Sequence, residues 1–272
     1  MRGYFYKRLK FQRNTFSKKK YYLNFTPKAK YFLFDKSGLP INIYSGKEIY
    51  FPITIINYYM SLIDTNNFDS NKWNLFFDYI KLNIKNNQFL FKHYFFKKNW
   101  KNEPIWFSNL PHAILVSILF RIKDKFDIKK KCGKDISFFY DSLYQDEIFD
   151  KLTNIFVEYP SIKSQPINGQ IFGLFAVYDA YQNNYENYEK LRLITDSTLK
   201  LINSQITFFG WTMYNEYRVA SPFYHILHID QLKVCVKIDE RFKKYYIRAK
   251  IAIIFYPFIV IYKIIERISK WL

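Results

Sequence analysis

The sequence predicts a mostly α fold of the α+β kind, with a helical domain, a small N-terminal β-hairpin unit and a basic N-terminal extension. First, 272 residues of which 49% are hydrophobic can fill a core of their own. Second, apolar residues recur at helical spacing from about residue 72 onward. Third, the β-prone runs Ile41-Asn-Ile-Tyr44 and Glu48-Ile-Tyr-Phe51 are separated by a short gap that contains glycine, which favours a hairpin. The predicted division is 1–30 basic aromatic arm, 31–60 β-hairpin unit, 61–244 helical globular domain and 245–272 apolar C-terminal helix.

Residues 1–30 form a cationic arm in which lysine and arginine alternate with aromatic rings, and the first acidic residue is Asp35. Such a pattern can neutralise phosphates and stack on unpaired bases, or bind anionic lipid head groups. A solvated charged tail is the plainer alternative. The predicted contact residues for RNA or anionic lipid are Arg2, Lys7, Arg8, Lys10, Arg13, Lys18, Lys19 and Lys20, with Tyr4, Phe5, Tyr6 or Phe11 stacking.

The next segment predicts a β-hairpin. The runs Ile41-Asn-Ile-Tyr44 and Glu48-Ile-Tyr-Phe51 are β-prone, and Ser45-Gly46-Lys47 lies between them. A short gap that contains glycine favours a hairpin connection. Pro52 predicts that the second strand ends there or lies at a sheet edge.

Helical spacing then dominates. Trp73, Phe76, Phe77, Ile80 and Ile84 lie on one helical face, with Asp69 or Ser70 as the N-cap. Further helices are predicted at 113–126, opened by Asn109 and Pro111; at 135–159, ended by Pro160; at 170–181, after a loop at Asn168-Gly169; at 196–202; and from Ser221-Pro222 towards Ile229.

The run 251–262 is uncharged and is flanked by Lys250 and Lys263. Its length is below the roughly 20 residues that cross a bilayer, which favours a buried helix. Snorkelling lysines and nearby aromatic residues are also typical of a membrane-embedded or interfacial helix, so both interpretations stand.

Motifs for catalysis or cofactor binding are absent from the sequence: there is no GxGxxG, P-loop, GxSxG or HExxH. Cys132 and Cys235 have no metal-ligand spacing and are predicted to fill the core in a reducing compartment. The sequence therefore predicts no catalytic residue, no cofactor and no metal.

Two clusters could still carry chemistry. His225 and His228 lie one helical turn apart near Asp230 and could begin a metal site, although packed, hydrogen-bonded histidines are the favoured interpretation. Glu186 and Glu189, near Asp179, could form a carboxylate pair, but a solvated helix face explains them more simply.

The richness in Phe, Tyr, Asn, Lys and Ile over the whole chain, with no cleavable presequence expected, resembles proteins encoded in ciliate mitochondrial genomes. The resemblance implies a non-catalytic structural subunit, either a mitochondrial ribosomal protein or an accessory subunit of an inner-membrane respiratory complex. Its partners would be rRNA and neighbouring ribosomal proteins, or respiratory subunits and anionic inner-membrane lipids, with no small-molecule substrate. The expected location is the mitochondrial matrix, with attachment to or embedding in the inner membrane as the alternative.

Overall fold

The computed structural model describes residues 10–11, 19–26, 32–44, 46–91, 93–94, 105–158 and 165–268. Helices dominate these ranges and the strands form small antiparallel sheets, which confirms the predicted fold class. The helices are α1 (Pro52–Asp64), α2 (Ser70–Leu82), α3 (Asn109–Ile122), α4 (Ile128–Cys132), α5 (Ile136–Asp141), α6 (Ile167–Gln182), α7 (Tyr188–Ser204), α8 (Pro222–Ile238), α9 (Lys243–Ile251) and α10 (Tyr256–Ile268).

The strands are short and pair mostly with their neighbours in sequence. They are β1 (Lys10–Phe11), β2 (Leu23–Asn24), β3 (Leu33–Phe34), β4 (Pro40–Tyr44), β5 (Lys47–Ile49), β6 (Ile84–Lys85), β7 (Gln88–Phe89), β8 (His93–Tyr94), β9 (Ile105–Trp106), β10 (Phe149–Asp150), β11 (Ile155–Phe156), β12 (Met213–Asn215) and β13 (Arg218–Val219).

The β4–β5 hairpin lies where the glycine-containing gap predicts it. Tyr44 is opposite Lys47, and β3 extends the sheet on the other side of β4. Pro52 is the first residue of α1, a position at which a missing N–H costs nothing. Residues 52–60 of the predicted hairpin unit are therefore helical.

The helix starts follow from capping side chains. Asp69 accepts hydrogen bonds from the main-chain N–H groups of Asn71 and Lys72, and Ser221 caps α8 in the same way. Ser108 caps α3, so that helix begins at Asn109, four residues before the predicted start. Asn168 and Gly169 lie within the first turn of α6, so the loop predicted there is wrong.

The continuous helix predicted over 135–159 is also wrong. After α5 the chain forms a single 3-10 turn at Ser142–Tyr144 and then the β10–β11 hairpin. The Asp150 carboxylate accepts hydrogen bonds from the N–H groups of Leu152 and Thr153. Local bonds of this kind satisfy the main chain in a turn instead of a helix.

The centre of the core is the packing of α3 against α6. Both helices are buried almost all round, as expected of helices without a solvated face. On their flanks, α1 covers α3, while α7 and α8 pack on α6. Gly173 allows α6 to approach β11, because a Cβ there would overlap the ring of Phe156. Cys132 and Cys235 are both buried, as predicted.

An ion pair lies inside this core. Arg121 of α3 binds Asp179 of α6 through two hydrogen bonds, with Nη1–Oδ2 at 2.7 Å and Nη2–Oδ1 at 3.0 Å. The Tyr22 hydroxyl donates to Asp179 at 2.5 Å, and the guanidinium lies 5.0 Å from the ring centroids of both Tyr21 and Tyr22. Residues 21–25, which the predicted arm includes, are thus anchored in the core.

The last described residues form α9, a 3-10 turn at Ala252–Phe255 and α10. Ala252 and Ile259 pack on Trp211, whereas most apolar side chains of the 251–262 run are exposed. Pro257 lies in the first turn of α10, directly after the 3-10 turn. No helix among the described residues has both the length and the hydropathy to cross a bilayer.

Candidate active site

Several buried polar side chains surround the first turn of α6. Glu158 follows β11 and is only 5% exposed. Two hydrogen bonds hold the main chain next to it. The N–H of Val157 donates to the carbonyl of Ile148, and the carbonyl of Val157 accepts from the N–H of Asn109. The carboxylate therefore sits between the end of β11 and the starts of α3 and α6.

Gly169 keeps the space around this carboxylate open. A Cβ at this position would lie 3.0 Å from Glu158 Oε2 and 3.3 Å from Asn109 Oδ1, closer than ordinary van der Waals contact. The carboxyl group also lies at the N-terminal end of α6, where the helix dipole is favourable to an anion.

Amide oxygens surround the same helix start, and their orientations are fixed. Asn109 donates its NH2 group to the carbonyl of Gly169 at 3.1 Å, and Gln231 donates to the carbonyl of Asn168 at 3.2 Å. Gln205 donates to the carbonyl of Gln165 at 2.9 Å, just before α6. Because each NH2 group is engaged, each amide oxygen is turned away from that bond.

These oxygens, Asn109 Oδ1, Gln205 Oε1 and Gln231 Oε1, are buried without a hydrogen-bond partner, as is Asn168 Oδ1. His228 Nε2 is also buried without a hydrogen-bond partner. An unsatisfied buried polar atom costs about 1–3 kcal/mol, so these five atoms need hydrogen-bond partners, which buried water commonly supplies. We call Asn109, Asn168, Gln205, His228 and Gln231 the acceptor cluster.

One stripe of α8 faces this region. Tyr224, His228 and Gln231 are spaced by four and three residues and therefore share a helix face. The ring of Tyr224 lies 4.6 Å from that of Tyr214 in β12 and 6.4 Å from that of His228, centroid to centroid. Both tyrosines are half-buried. Tyr214 and Tyr224 thus form an aromatic pair beside His228.

His225 and His228 are buried and hydrogen-bonded, as the packing interpretation predicts. His225 stacks on Trp211 at 3.8 Å, accepts from the N–H of Thr212 at Nδ1 and donates from Nε2 to the carbonyl of Ala249. His228 Nδ1 lies 2.8 Å from the Thr212 hydroxyl. Within the described part of the chain, no three His, Cys, Asp or Glu side chains are arranged to hold a metal ion.

The histidine pair should make folding stability depend on pH. Burial lowers the pKa of His225 to about 4 and that of His228 to about 3, against an ordinary value of 6.5. Between about pH 6.5 and pH 4 the unfolded chain binds more protons than the folded chain, so stability falls as the pH falls. At pH 5 we expect a loss on the order of 2 kcal/mol per histidine relative to pH 7.

Urea unfolding at pH 7, 6 and 5 measures this loss. The variant His228→Gln should show a shallower dependence on pH than the unaltered chain, because one of the two groups no longer titrates. Equal pH dependence in both proteins would contradict the assignment.

The residues predicted to contact anions are not part of the candidate site. Lys19 and Lys20 are exposed, and Lys10 lies in β1. Arg2, Lys7, Arg8, Arg13 and Lys18 lie outside the described residues. Anion contact by this group stays a prediction.

The acidic patch predicted around Glu186 is not a single cluster. Asp179 is paired with Arg121 in the core, Glu189 is exposed, and Glu186 accepts a hydrogen bond from the Tyr140 hydroxyl at 2.8 Å.

Glu158, the amide side chains and the two tyrosines were not among the residues predicted from the sequence. The available signals are the carboxylate at the end of the β-prone run Ile155–Val157 and the spacing of Tyr224, His228 and Gln231 on one helix face.

Among protein families, the model of the D-glucuronyl C5-epimerase C-terminus matches residues 83–251, more than half of the chain. The matched region contains Glu158, Tyr214, Tyr224 and the acceptor cluster. No curated protein matches the chain.

This match overturns several predictions. The resemblance to ciliate mitochondrially encoded ribosomal or respiratory proteins is wrong, and so are the ribosomal, rRNA and respiratory-complex partners that it implied. The predictions of a non-catalytic structural subunit and of no small-molecule substrate are contradicted by a family named for an enzyme that acts on a carbohydrate. These predictions depended on amino-acid composition, which carries no information about a site assembled in three dimensions. With residues 83–251 matched, the chain belongs to the D-glucuronyl C5-epimerase C-terminus family.

Proposed function

We propose that the chain catalyses epimerisation at C5 of a glucuronyl residue within a carbohydrate. The observation that carries the proposal is the buried Glu158 carboxylate set beside the acceptor cluster in the family-matched region. A carboxylate can remove a proton, and the acceptors can hold sugar hydroxyls.

The chemistry needs a base and an acid. The C5 hydrogen of a glucuronyl residue is α to its carboxylate, so a base can remove it as a proton and leave the electron pair delocalised into the carboxylate. Return of a proton to the opposite face of C5 inverts the centre. One C–H bond breaks and one forms, so the reaction is redox-neutral.

We assign proton removal to Glu158, since general bases are commonly carboxylates. Tyr224 is the proposed proton donor, because its phenol lies on the same helix face as Gln231, whose amide contacts the start of α6. Tyr214 packs against Tyr224 and orients that ring.

Hydrogen exchange with solvent tests the proposal. Incubation of the full chain with a glucuronyl-containing oligosaccharide in D2O should place deuterium at C5, detected by NMR as loss of the H5 signal and by mass spectrometry. The variant Glu189→Gln, altered at an exposed carboxylate outside the site, should exchange at the same rate. Absence of C5 deuterium across glucuronyl oligosaccharides that a reference epimerase labels would overturn the proposal.

Residence in the mitochondrial matrix remains a prediction from composition, which subcellular fractionation would test.

A further inference from the structure

The exposed side of α10 is apolar. Between residues 256 and 265 the exposed side chains are Tyr256, Pro257, Phe258, Ile261, Tyr262, Ile264 and Ile265, and we call them the apolar face. The charged pair Lys263 and Glu266 is partly buried and lies on the opposite side of the helix, which also carries the buried Ile259. Phe258 at the centre of the apolar face is 69% exposed. A contiguous exposed apolar surface of this kind marks an interaction site.

The preceding helix, α9, places cations next to the apolar face. Its exposed cations are Lys243, Lys244, Arg248 and Lys250, and Ile247 and Ile251 are exposed among them. Glu240 pairs with Lys243 at 3.4 Å, but the sequence has no acidic residue from 241 to 265. The positive charge of this stretch is therefore not balanced within it.

A turn at residues 207–210 adds an exposed aromatic ring beside α9. The turn packs directly on the helix, because a Cβ on Gly210 would lie 2.5 Å from the carbonyl oxygen of Arg248. Arg248 Nη2 also donates to the carbonyl of Phe208 at 3.4 Å. The Phe208 side chain itself is 93% exposed. An apolar helix face and an aromatic turn thus adjoin the same cationic helix.

We propose that α9, α10 and the 207–210 turn dock on the surface of an anionic phospholipid membrane. The apolar face enters the boundary between head groups and acyl chains, and the α9 cations contact the lipid phosphates. Helices that combine one apolar face with basic residues bind membranes in this way, and tyrosine is enriched at the level of the head groups. Since Ile259 stays packed on Trp211, α10 lies along the surface. The inference is independent of the proposed catalytic function.

A second copy of the chain is the competing occupant of the apolar face. Ile254, Phe258, Ile261 and Ile265 are spaced by four, three and four residues, as in a coiled-coil seam. A second copy, however, brings the same α9 cations. Parallel packing would place like charges opposite each other, and antiparallel packing would leave the cations without an anionic partner. The charge of α9 therefore favours an anionic lipid surface.

Flotation of the full chain with lipid vesicles tests the proposal. The chain should float with vesicles of phosphatidylcholine and phosphatidylserine, and binding should weaken when phosphatidylserine is omitted or salt is raised. The double variant Phe258→Gln, Ile265→Gln should bind these vesicles at least about tenfold more weakly, because it removes apolar area that enters the lipid. Its matched control, Leu82→Gln, Leu152→Gln, alters two exposed apolar residues elsewhere and should bind like the unaltered chain.

A second pair of variants tests the cations. Lys244→Gln, Lys250→Gln should weaken binding to the phosphatidylserine vesicles about tenfold, since each cation near an anionic surface contributes to attraction. The matched control Lys129→Gln, Lys130→Gln removes the same charge from exposed positions of α4 and should change binding by less than about threefold.

Three results would overturn the proposal. The first is no flotation with phosphatidylserine vesicles, and the second is unchanged flotation of the Phe258→Gln, Ile265→Gln variant. The third is a dimer of the full chain in sedimentation equilibrium without vesicles that the same variant dissociates, which would assign the apolar face to a second copy. Circular dichroism confirms the fold of each variant. If the apolar variant fails to fold, the lysine variants and their control decide.

Discussion

Replacement of Glu158 by glutamine should lower the rate of C5 hydrogen exchange by about 10²- to 10⁴-fold, the range usual for loss of a general base. Glutamine preserves the volume and polarity of the side chain, so the packing against Gly169 and Asn109 is retained, while the amide cannot take up the proton. The measurement is the initial rate of deuterium incorporation at C5, with circular dichroism to confirm the fold.

The control is Glu189→Gln, which removes an equal charge at an exposed position of α7. Glu158→Asp should retain partial activity, because the carboxylate is present but withdrawn by one methylene group. If Glu158→Gln keeps more than about a tenth of the activity, Glu158 is not the base.

Removal of the buried Arg121 charge should have the largest effect on stability. Arg121→Met leaves the Asp179 carboxylate in the core without its cation, and loss of one partner of a buried pair costs about 3–5 kcal/mol. The change is measured as the free energy of unfolding in urea. Since the side chains of this pair are 3% and 8% exposed, solvent cannot replace the lost partner.

A triple variant distinguishes the cost of the unpaired Asp179 charge from the cost of lost side-chain packing. The triple variant Arg121→Met, Asp179→Leu, Tyr22→Phe removes both charges and the hydroxyl that donates to Asp179, and it should recover most of the stability. Lys151→Met removes a cation from an exposed pair with Asp146 and should change stability by less than about 1 kcal/mol. A loss of similar size from Arg121→Met and Lys151→Met would contradict this account.

The helical character and several element boundaries could be predicted from local sequence, because caps and periodicity act within a few residues. Asp69, Ser221 and Pro222 begin their helices where the sequence indicates. The structure of residues 142–156 was predicted wrongly because the spacing of their apolar residues also fits a helix. The turn at Asp150 favours the hairpin that is observed.

The candidate site could not be predicted in the same way. Asn109, Glu158, Asn168 and Gln231 are far apart in sequence and meet only because α3, α6 and α8 pack together. None of them belongs to a short motif, and each alone is an ordinary polar residue. The amino-acid composition, in contrast, can be read directly from the sequence, but it indicated the wrong class of protein.

The contacts of Tyr21 and Tyr22 with Arg121 limit which fragments of this chain can fold on their own. The matched segment 83–251 contains α3 and α6, but Tyr21, Tyr22 and α1, which cover them, precede it in the chain. A fragment limited to the matched segment would expose the apolar surface that these residues bury and leave the ion pair open to water. The autonomous folding unit is therefore larger than the region of family similarity, and it begins no later than the aromatic pair that encloses Arg121.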